Sequence, residues 1–339
     1  MDRIRVLIVD DSLVFREMLA KGISADPQIE VVAKAVDPFD ARDLLMKYKP
    51  DVMTCDVRMP RMDGVEFIRR LLPQYKIPVI VVSAASEVVL DALDAGAVEF
   101  VTKPDFRSRE GTETFISDLI YKIKVAAKAT PSARRSQPAA VRAAGPAALD
   151  AARIIAIGAS TGGTEAILSV LKGFPPNIPG VVIVQHIPPV FSKMFADRLN
   201  NQTALNVKEA ATGDYLETGR VLIAPGDRHM RIKKIGPRFK VDCFEGEKVN
   251  GHCPSVDVLF DSVAREAGHK AVGIILTGMG SDGAKGLLNM RRAGARTIGQ
   301  DERSSVVYGM PKMAYTMGAV EKQARLEAIP EAVLSLLRK

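Results

Sequence analysis

One hydroxyl, Ser160, lies between an apolar run, Ile154 to Ile157, and a helical pattern from Thr164 to Leu171. Its neighbours are small, in the order Gly158-Ala159-Ser160-Thr161-Gly162, and Gly163 follows. A tight strand-to-helix turn needs small residues to lift a serine oxygen clear of the sheet. The first amides of the next helix can then hold a developing oxyanion. By itself the pattern is not specific, because a plain tight turn or a phosphate-binding loop uses the same glycines. A nucleophilic serine also needs a base, and the base needs an acid to orient it.

The chain has four histidines. His186 follows the apolar run Val181–Val184 and Gln185, which puts it at a strand end. His229 lies a few residues past another strand and is a weaker candidate. His252 sits in the irregular stretch Asn250 to Ser255, where it could line a cleft. His269 falls at a helix end, where a histidine commonly answers the helix dipole. Two acids, Asp282 and Asp301, follow apolar runs. Asp282 could be a helix cap, but the glycines of Thr277–Gly283 favour close backbone approach to a ligand, so Asp282 is preferred. Ser160, His186 and Asp282 then have the chemistry of acyl transfer. Their order sets the acid after the base, the reverse of α/β-hydrolases.

A second constellation lies nearer the start of the sequence. Apolar runs end at Asp10-Asp11, Asp56, Ser83 and Lys103. Three carboxylates converging on one sheet edge repel each other and need a cation, and oxygen-only ligation suits Mg²⁺. A lysine and a hydroxyl beside them suit a phosphoryl group on an acceptor carboxylate.

Both sets require strand ends to be brought together. In the first part, runs at Ile4–Val9, Val31–Ala35, Val52–Cys55, Val79–Val82 and Val98–Val101 alternate with helical patterns. In the second, runs at Ile154–Ile157, Val181–Val184, Val221–Ala224, Val272–Leu276 and Thr297–Ile298 do the same. Such alternation predicts two doubly wound parallel-sheet α/β domains, which bind ligands at the carboxyl ends of their strands. Met230–Cys243, turning at Gly236-Pro237, predicts an antiparallel hairpin at one edge of the second sheet.

Between them, Lys128 to Asp150 is rich in Ala, Pro, Ser and Arg, and Pro131, Pro138 and Pro146 interrupt any helix. The domains expected are 3–122 and 152–339, joined by a flexible basic linker over 123–151. The net charge of +7 is concentrated there, since Lys122 to Arg153 holds seven basic residues and one acid. Charge in a linker argues against a nucleic-acid-reading surface. At 47% hydrophobic and 26% charged, with three cysteines at no metal-like spacing, the chain fits a reducing cytoplasm. Met1 to Asp10 lacks a signal-peptide pattern and no apolar run approaches a membrane span, so no membrane insertion is expected.

The first part resembles the receiver domain of bacterial response regulators, on Asp10-Asp11, Asp56 with Met59-Pro60, Asp63-Gly64, Ser83-Ala84 and Lys103-Pro104. The resemblance implies a flavodoxin-like fold in which a histidine kinase phosphorylates Asp56. Asp11, Asp56 and the backbone carbonyl of Arg58 would bind Mg²⁺, with Asp10 acting through water. Ser83 and Lys103 would contact the phosphoryl oxygens, Phe100 would be the aromatic switch, and Lys103-Pro104 would be cis.

From Ile154 on, the chain resembles the catalytic domain of the chemotaxis response-regulator methylesterases. The motifs are Gly158–Glu165, Val184-Gln-His-Ile-Pro-Pro189, Ala224-Pro-Gly226, Pro254–Phe260, Thr277–Gly283 and Gln300–Pro311. That resemblance implies a Rossmann-like fold with Ser160 as nucleophile, His186 as base and Asp282 as orienting acid. The Met279 amide would help form the oxyanion hole, supported by Thr161. Substrates would be methylated glutamates of chemoreceptors, with deamidation of certain glutamines by the same chemistry and no cofactor for the esterase step. The unphosphorylated receiver would cover the catalytic edge. The competing readings are a response regulator with a DNA-binding or nucleotide-binding output. Neither a helix-turn-helix nor a Gly-Lys-Ser/Thr triplet is present to support them.

Overall fold

In the computed structural model, residues 3–84, 88–104, 109–129 and 149–338 are described. The chain divides into two units, Met1–Ala133 and Arg134–Lys339.

In the first unit, β1 (Ile4–Val9), β2 (Ile29–Ala35), β3 (Val52–Cys55), β4 (Val79–Ser83) and β5 (Glu99–Thr102) form a parallel sheet in the order β2-β1-β3-β4-β5. Between and after them run α1 (Leu13–Ile23), α2 (Pro38–Tyr48), α3 (Gly64–Leu71), α4 (Val89–Asp94) and α5 (Arg109–Ala126). The strand order reverses between β1 and β3, the point at which doubly wound sheets open a crevice. Short polar side chains start the helices: Ser12 Oγ accepts from the Phe15 amide at 3.3 Å, and Asp63 from Val65 at 2.7 Å. Gly64 must be glycine, since a Cβ there would lie 2.1 Å from the Asp56 carbonyl oxygen. That missing side chain lets α3 start against the end of β3.

Ile123 and Ala126 of α5 are fully buried in the first unit's core. The unit therefore continues into the stretch read as linker, most of which, with Pro131, Pro138 and Pro146, lies outside the described residues. The cis peptide implied at Lys103-Pro104 is not found; among the described residues the cis bond is Cys253-Pro254. Proline lowers the cost of cis, yet an X–Pro bond still prefers trans by about 0.5–1 kcal/mol, so proline alone does not select the isomer.

In the second unit, seven parallel strands follow the order β14-β13-β12-β6-β7-β9-β8. They are β6 (Ile154–Ala159), β7 (Val181–Gln185), β8 (Asn206–Glu209), β9 (Arg220–Ile223), β12 (Ala271–Ile275), β13 (Arg296–Gln300) and β14 (Lys322–Ala324). The helices are α6 (Gly163–Lys172), α7 (Phe191–Gln202), α8 (Val256–Glu266), α9 (Ala284–Arg292), α10 (Met310–Thr316) and α11 (Ile329–Leu337). The two edge strands were not foreseen. Asn-Val-Lys-Glu and Lys-Gln-Ala each bury too few side chains to form an apolar run.

The hairpin is found as β10 (His229–Ile235) and β11 (Arg238–Phe244), but not at the sheet edge. It forms a separate two-stranded sheet on α8. Its Ile232 amide donates to Ser262 Oγ and its Lys234 amide to Glu266 Oε2, both at 3.0 Å. Met230, Ile232, Phe239, Val241 and Cys243 face the core there. An alternating pattern predicts a half-buried ribbon without specifying what covers it.

Candidate active site

The register of the central strands assembles the site. Ala159 of β6 pairs with Gln185 of β7, so Ser160 and His186 are the next residues of two adjacent strands. On the other side Gly158 pairs with Ile275 of β12, and the Ser160 amide donates to the Thr277 carbonyl at 3.0 Å. Connections leave β6 toward β7 on one flank and return to β12 on the other, which makes β6 the switch point. All three expected residues lie at this one edge.

The turn after β6 is set by close approaches. A Cβ on Gly158 would lie 2.2 Å from Val256 Cγ1, so this glycine admits α8 against the strand. Gly162 has φ +74° and caps α6. The Ser160 carbonyl accepts from the Gly163 amide at 2.6 Å and from Gln185 Nε2 at 2.9 Å. The Ser160 backbone is thus fixed from both sides while the residue stays half-buried.

His186 Nε2 lies 2.8 Å from Asp282 Oδ2. Its other nitrogen, Nδ1, is buried and has no hydrogen-bond partner among the described residues. A ring held by one nitrogen and bare at the other is poised to exchange a proton.

Asp282 is 1% exposed and receives more hydrogen bonds than a cap would. Oδ2 also accepts from the Val256 amide at 2.7 Å. Oδ1 accepts from Ser255 Oγ at 2.7 Å, Asn250 Nδ2 at 2.8 Å and the Asp257 amide at 3.1 Å. The carboxylate therefore sits on the N-terminus of α8, where amides and helix dipole favour negative charge. Burial pushes its pKa up, but the hydrogen bond from His186, then the His186 charge, then the hydrogen bonds from Asn250 and Ser255 hold it well below the usual carboxylate range. It stays ionised, the state an orienting acid would need.

Asn250 was missed in the sequence. The signal was its Asn-Gly dipeptide: Asn250 and Gly251 both have positive φ, and Val249 and His252 exchange backbone hydrogen bonds at 3.0 Å around them. This turn delivers Asn250 Nδ2 to Asp282 and, at 2.7 Å, to Asp257 Oδ2. It also places His252 over His186, ring centroids 3.7 Å apart and 11° from parallel.

Thr161 is buried, and its carbonyl accepts from Thr277 Oγ1 at 3.0 Å. The loop bearing Met279 is pinned by Gly278, whose carbonyl accepts from the Met310 amide at 2.8 Å. The Met279 amide makes no hydrogen bond among the described residues. The alternatives fall elsewhere: Asp301 accepts from Ser304 Oγ at 2.6 Å, His269 is exposed, and His229 is buried with its ring on the Ser255 amide and the Glu247 carbonyl.

In the first unit, one ligand oxygen each from Asp10, Asp11 and Asp56 lie within 4.8 Å of one another. Lys103 Nζ bridges Asp10 Oδ2 at 2.7 Å and Asp56 Oδ2 at 2.6 Å. Asp56 Oδ1 accepts from the Val57 amide at 2.6 Å and the Arg58 amide at 3.3 Å. Burial pushes Asp10 up against the opposing pull of Lys103. Burial pulls Lys103 down, but its bonds to Asp10 and Asp56 hold it above its ordinary value. Three carboxylates against one ammonium leave net negative charge, and hard oxygen donors are what Mg²⁺ takes. Ser83 is buried at the end of β4, and Phe100 is buried with Lys122 Nζ 5.2 Å from its ring.

The family model described as response regulator receiver domain matches residues 6–115, and that described as CheB methylesterase matches residues 155–333. The chain is 59% identical over 337 residues to protein-glutamate methylesterase/protein-glutamine glutaminase 2 of Syntrophomonas wolfei, covering 99% of this chain and 98% of that protein. It is 48% identical over 341 residues to the protein-glutamate methylesterase/protein-glutamine glutaminase of Escherichia coli strain K12, covering 99% and 97%. A crystal structure of the Thermotoga maritima CheB methylesterase catalytic domain aligns with a TM-score of 0.53 and 36% identity, over 54% of this chain and 98% of that one. No helix among the described residues is long and apolar enough to cross a membrane. The chain belongs to the CheB methylesterase family, with a response regulator receiver domain ahead of the methylesterase domain.

Proposed function

We propose that the chain is a phosphorylation-activated hydrolase that demethylates glutamate methyl esters on chemoreceptors and deamidates receptor glutamines. The convergence of Ser160, His186 and the five-fold hydrogen-bonded Asp282 at one sheet edge carries this reading. Ser160 Oγ attacks the ester carbonyl and passes its proton to His186 Nδ1, the nitrogen left bare by Asp282. Asp282 stabilises the imidazolium that forms, and the Met279 amide, supported by Thr161, would donate to the developing oxyanion. The imidazolium returns its proton to the departing methoxide, which leaves as methanol. His186 then takes a proton from water, whose oxygen attacks the acyl-enzyme, and glutamate and free Ser160 result. With a glutamine substrate the leaving group is ammonia.

Asp56 accepts a phosphoryl group from a histidine kinase or small phosphodonor, with Asp11, Asp56 and the Arg58 carbonyl as the Mg²⁺ ligand set and Asp10 acting through water. The ion would neutralise charge among those oxygens. Ser83 and Lys103 bind the phosphoryl oxygens, Lys103 exchanging its present carboxylate partners for them, and Phe100 reports the change. A tenfold rise in the active population requires about 1.4 kcal/mol, within reach of a new dianionic group. The site of action is the cytoplasm, where kinase and receptor helices meet. Methanol release from methylated receptor that requires Ser160 and rises with phosphodonor tests this reading.

A further inference from the structure

His229 opens β10 and is 2% exposed, and it makes two backbone hydrogen bonds of fixed polarity. The Ser255 amide donates to its Nδ1 at 3.2 Å, and its Nε2 lies 2.9 Å from the Glu247 carbonyl oxygen. An amide only donates and a carbonyl only accepts, so Nδ1 is bare and Nε2 carries the proton. The ring is boxed in by Phe244, at 5.6 Å between centroids, and by Gly246, where a Cβ would lie 3.1 Å from the imidazole. One side chain thus ties together both ends of the strap 247–255.

Among the described residues, that strap carries every side chain hydrogen-bonded to Asp282 besides His186. Asn250 and Ser255 donate to Asp282 Oδ1, and His252 stacks on His186. Ser255 is held twice, by its amide to His229 and by its hydroxyl to Asp282. The path from His229 to the base is therefore Ser255, Asp282, His186, with a hydrogen bond at each step. We infer that His229 is a positioning residue for the esterase reaction, bracing the 247–255 strap so that Asp282 and His186 keep their working geometry. The inference rests on the acyl-transfer reading of Ser160, His186 and Asp282. It differs from a simple core role, which would affect stability alone.

The test compares the full-length protein with His229→Phe, which lacks both hydrogen bonds, and His229→Asn, whose amide oxygen can replace Nδ1 toward Ser255. Methanol release from methylated receptor and the rate of Ser160 labelling by a fluorophosphonate are measured together. His229→Phe should lower kcat and labelling about 10- to 100-fold with KM nearly unchanged, because small misplacements of reacting groups act on turnover. His229→Asn should recover most of both. Should His229→Phe not fold, His229→Asn is compared with His229→Gln, which preserves the Glu247 side only; Asn should be the more active. A folded His229→Phe with kcat within about twofold of the parent overturns the inference. So do equal losses in Asn and Phe that merely follow their melting temperatures, or Gln outperforming Asn. The imidazole ¹⁵N shifts of His229 test the brace apart from activity, since a proton on Nδ1 would contradict it. If the parent protein releases no methanol in a Ser160-dependent way while those shifts show Nε2–H, the esterase reading fails and the brace stands.

Discussion

His252 lies flat on His186, ring centroids 3.7 Å apart and planes 11° from parallel. Burial, and then the neighbouring His186, pull the His252 pKa down to about 4. A second cation beside the imidazolium of the reaction would repel it, so a stacking partner that stays neutral serves the base.

The depressed pKa has a consequence for stability. Unfolded, His252 takes its proton near 6.5; folded, only near 4. Between those values the unfolded state binds more protons, so stability is full above about 6.5 and falls as pH drops through the folded value. The loss is at most about 3 kcal/mol, less for the part of the ring that meets solvent. Protection factors of amides in β6 and β12, referred to the intrinsic exchange rate at each pH, should fall across that range in the parent and less in His252→Phe; equal pH dependence would contradict the assignment.

Asp282→Asn keeps the shape but removes the charge and offers donors where five donors already point. Turnover should fall about 10³- to 10⁴-fold, the scale set by losing a triad acid, with KM within a few-fold. Steady-state methanol release measures both. A loss below about tenfold would leave Asp282 as a helix cap only.

The sequence carried Ser160 and His186 because each closely follows an apolar run, and Asp282 because of the glycines in the loop after one. Ser160, His186 and Asp282 could therefore be placed on one edge before any coordinates. Asn250 and His229 could not, because their roles depend on the path of an irregular strap and on which backbone groups it leaves unpaired. The hairpin was legible as a ribbon from its alternation, and misplaced because its covering helix, α8, comes later in the chain. The edge strands β8 and β14 carry mostly polar side chains, and their pairing comes from neighbours.

Gly278 leaves no room for a side chain. A Cβ would lie 2.4 Å from Met310 Sδ and 2.7 Å from Ser160 Cβ. Gly278→Ala should displace the nucleophile or the Met279 loop and cut kcat by about 10²-fold, as misplacement near 1 Å does. Fluorophosphonate labelling of Ser160 reads this directly; a parent-like rate would mean that Met310 alone absorbs the methyl group.

Lys103 spans Asp10 and Asp56 at 2.7 and 2.6 Å. Lys103→Ala and Asp56→Asn should each bring the ratio of activity with phosphodonor to activity without it close to one. Chelation of Mg²⁺ should do the same to the parent protein. A stimulated ratio that survives Asp56→Asn would move the phosphorylation site elsewhere.

Methanol release from methylated receptor tests most directly whether the protein is a serine esterase under receiver control. The parent and Ser160→Ala are compared with and without a small phosphodonor and Mg²⁺. The account predicts release by the parent that rises at least several-fold with phosphodonor, and none above background from Ser160→Ala under either condition. Release that persists in Ser160→Ala, or none from the parent even when phosphorylated, would contradict it.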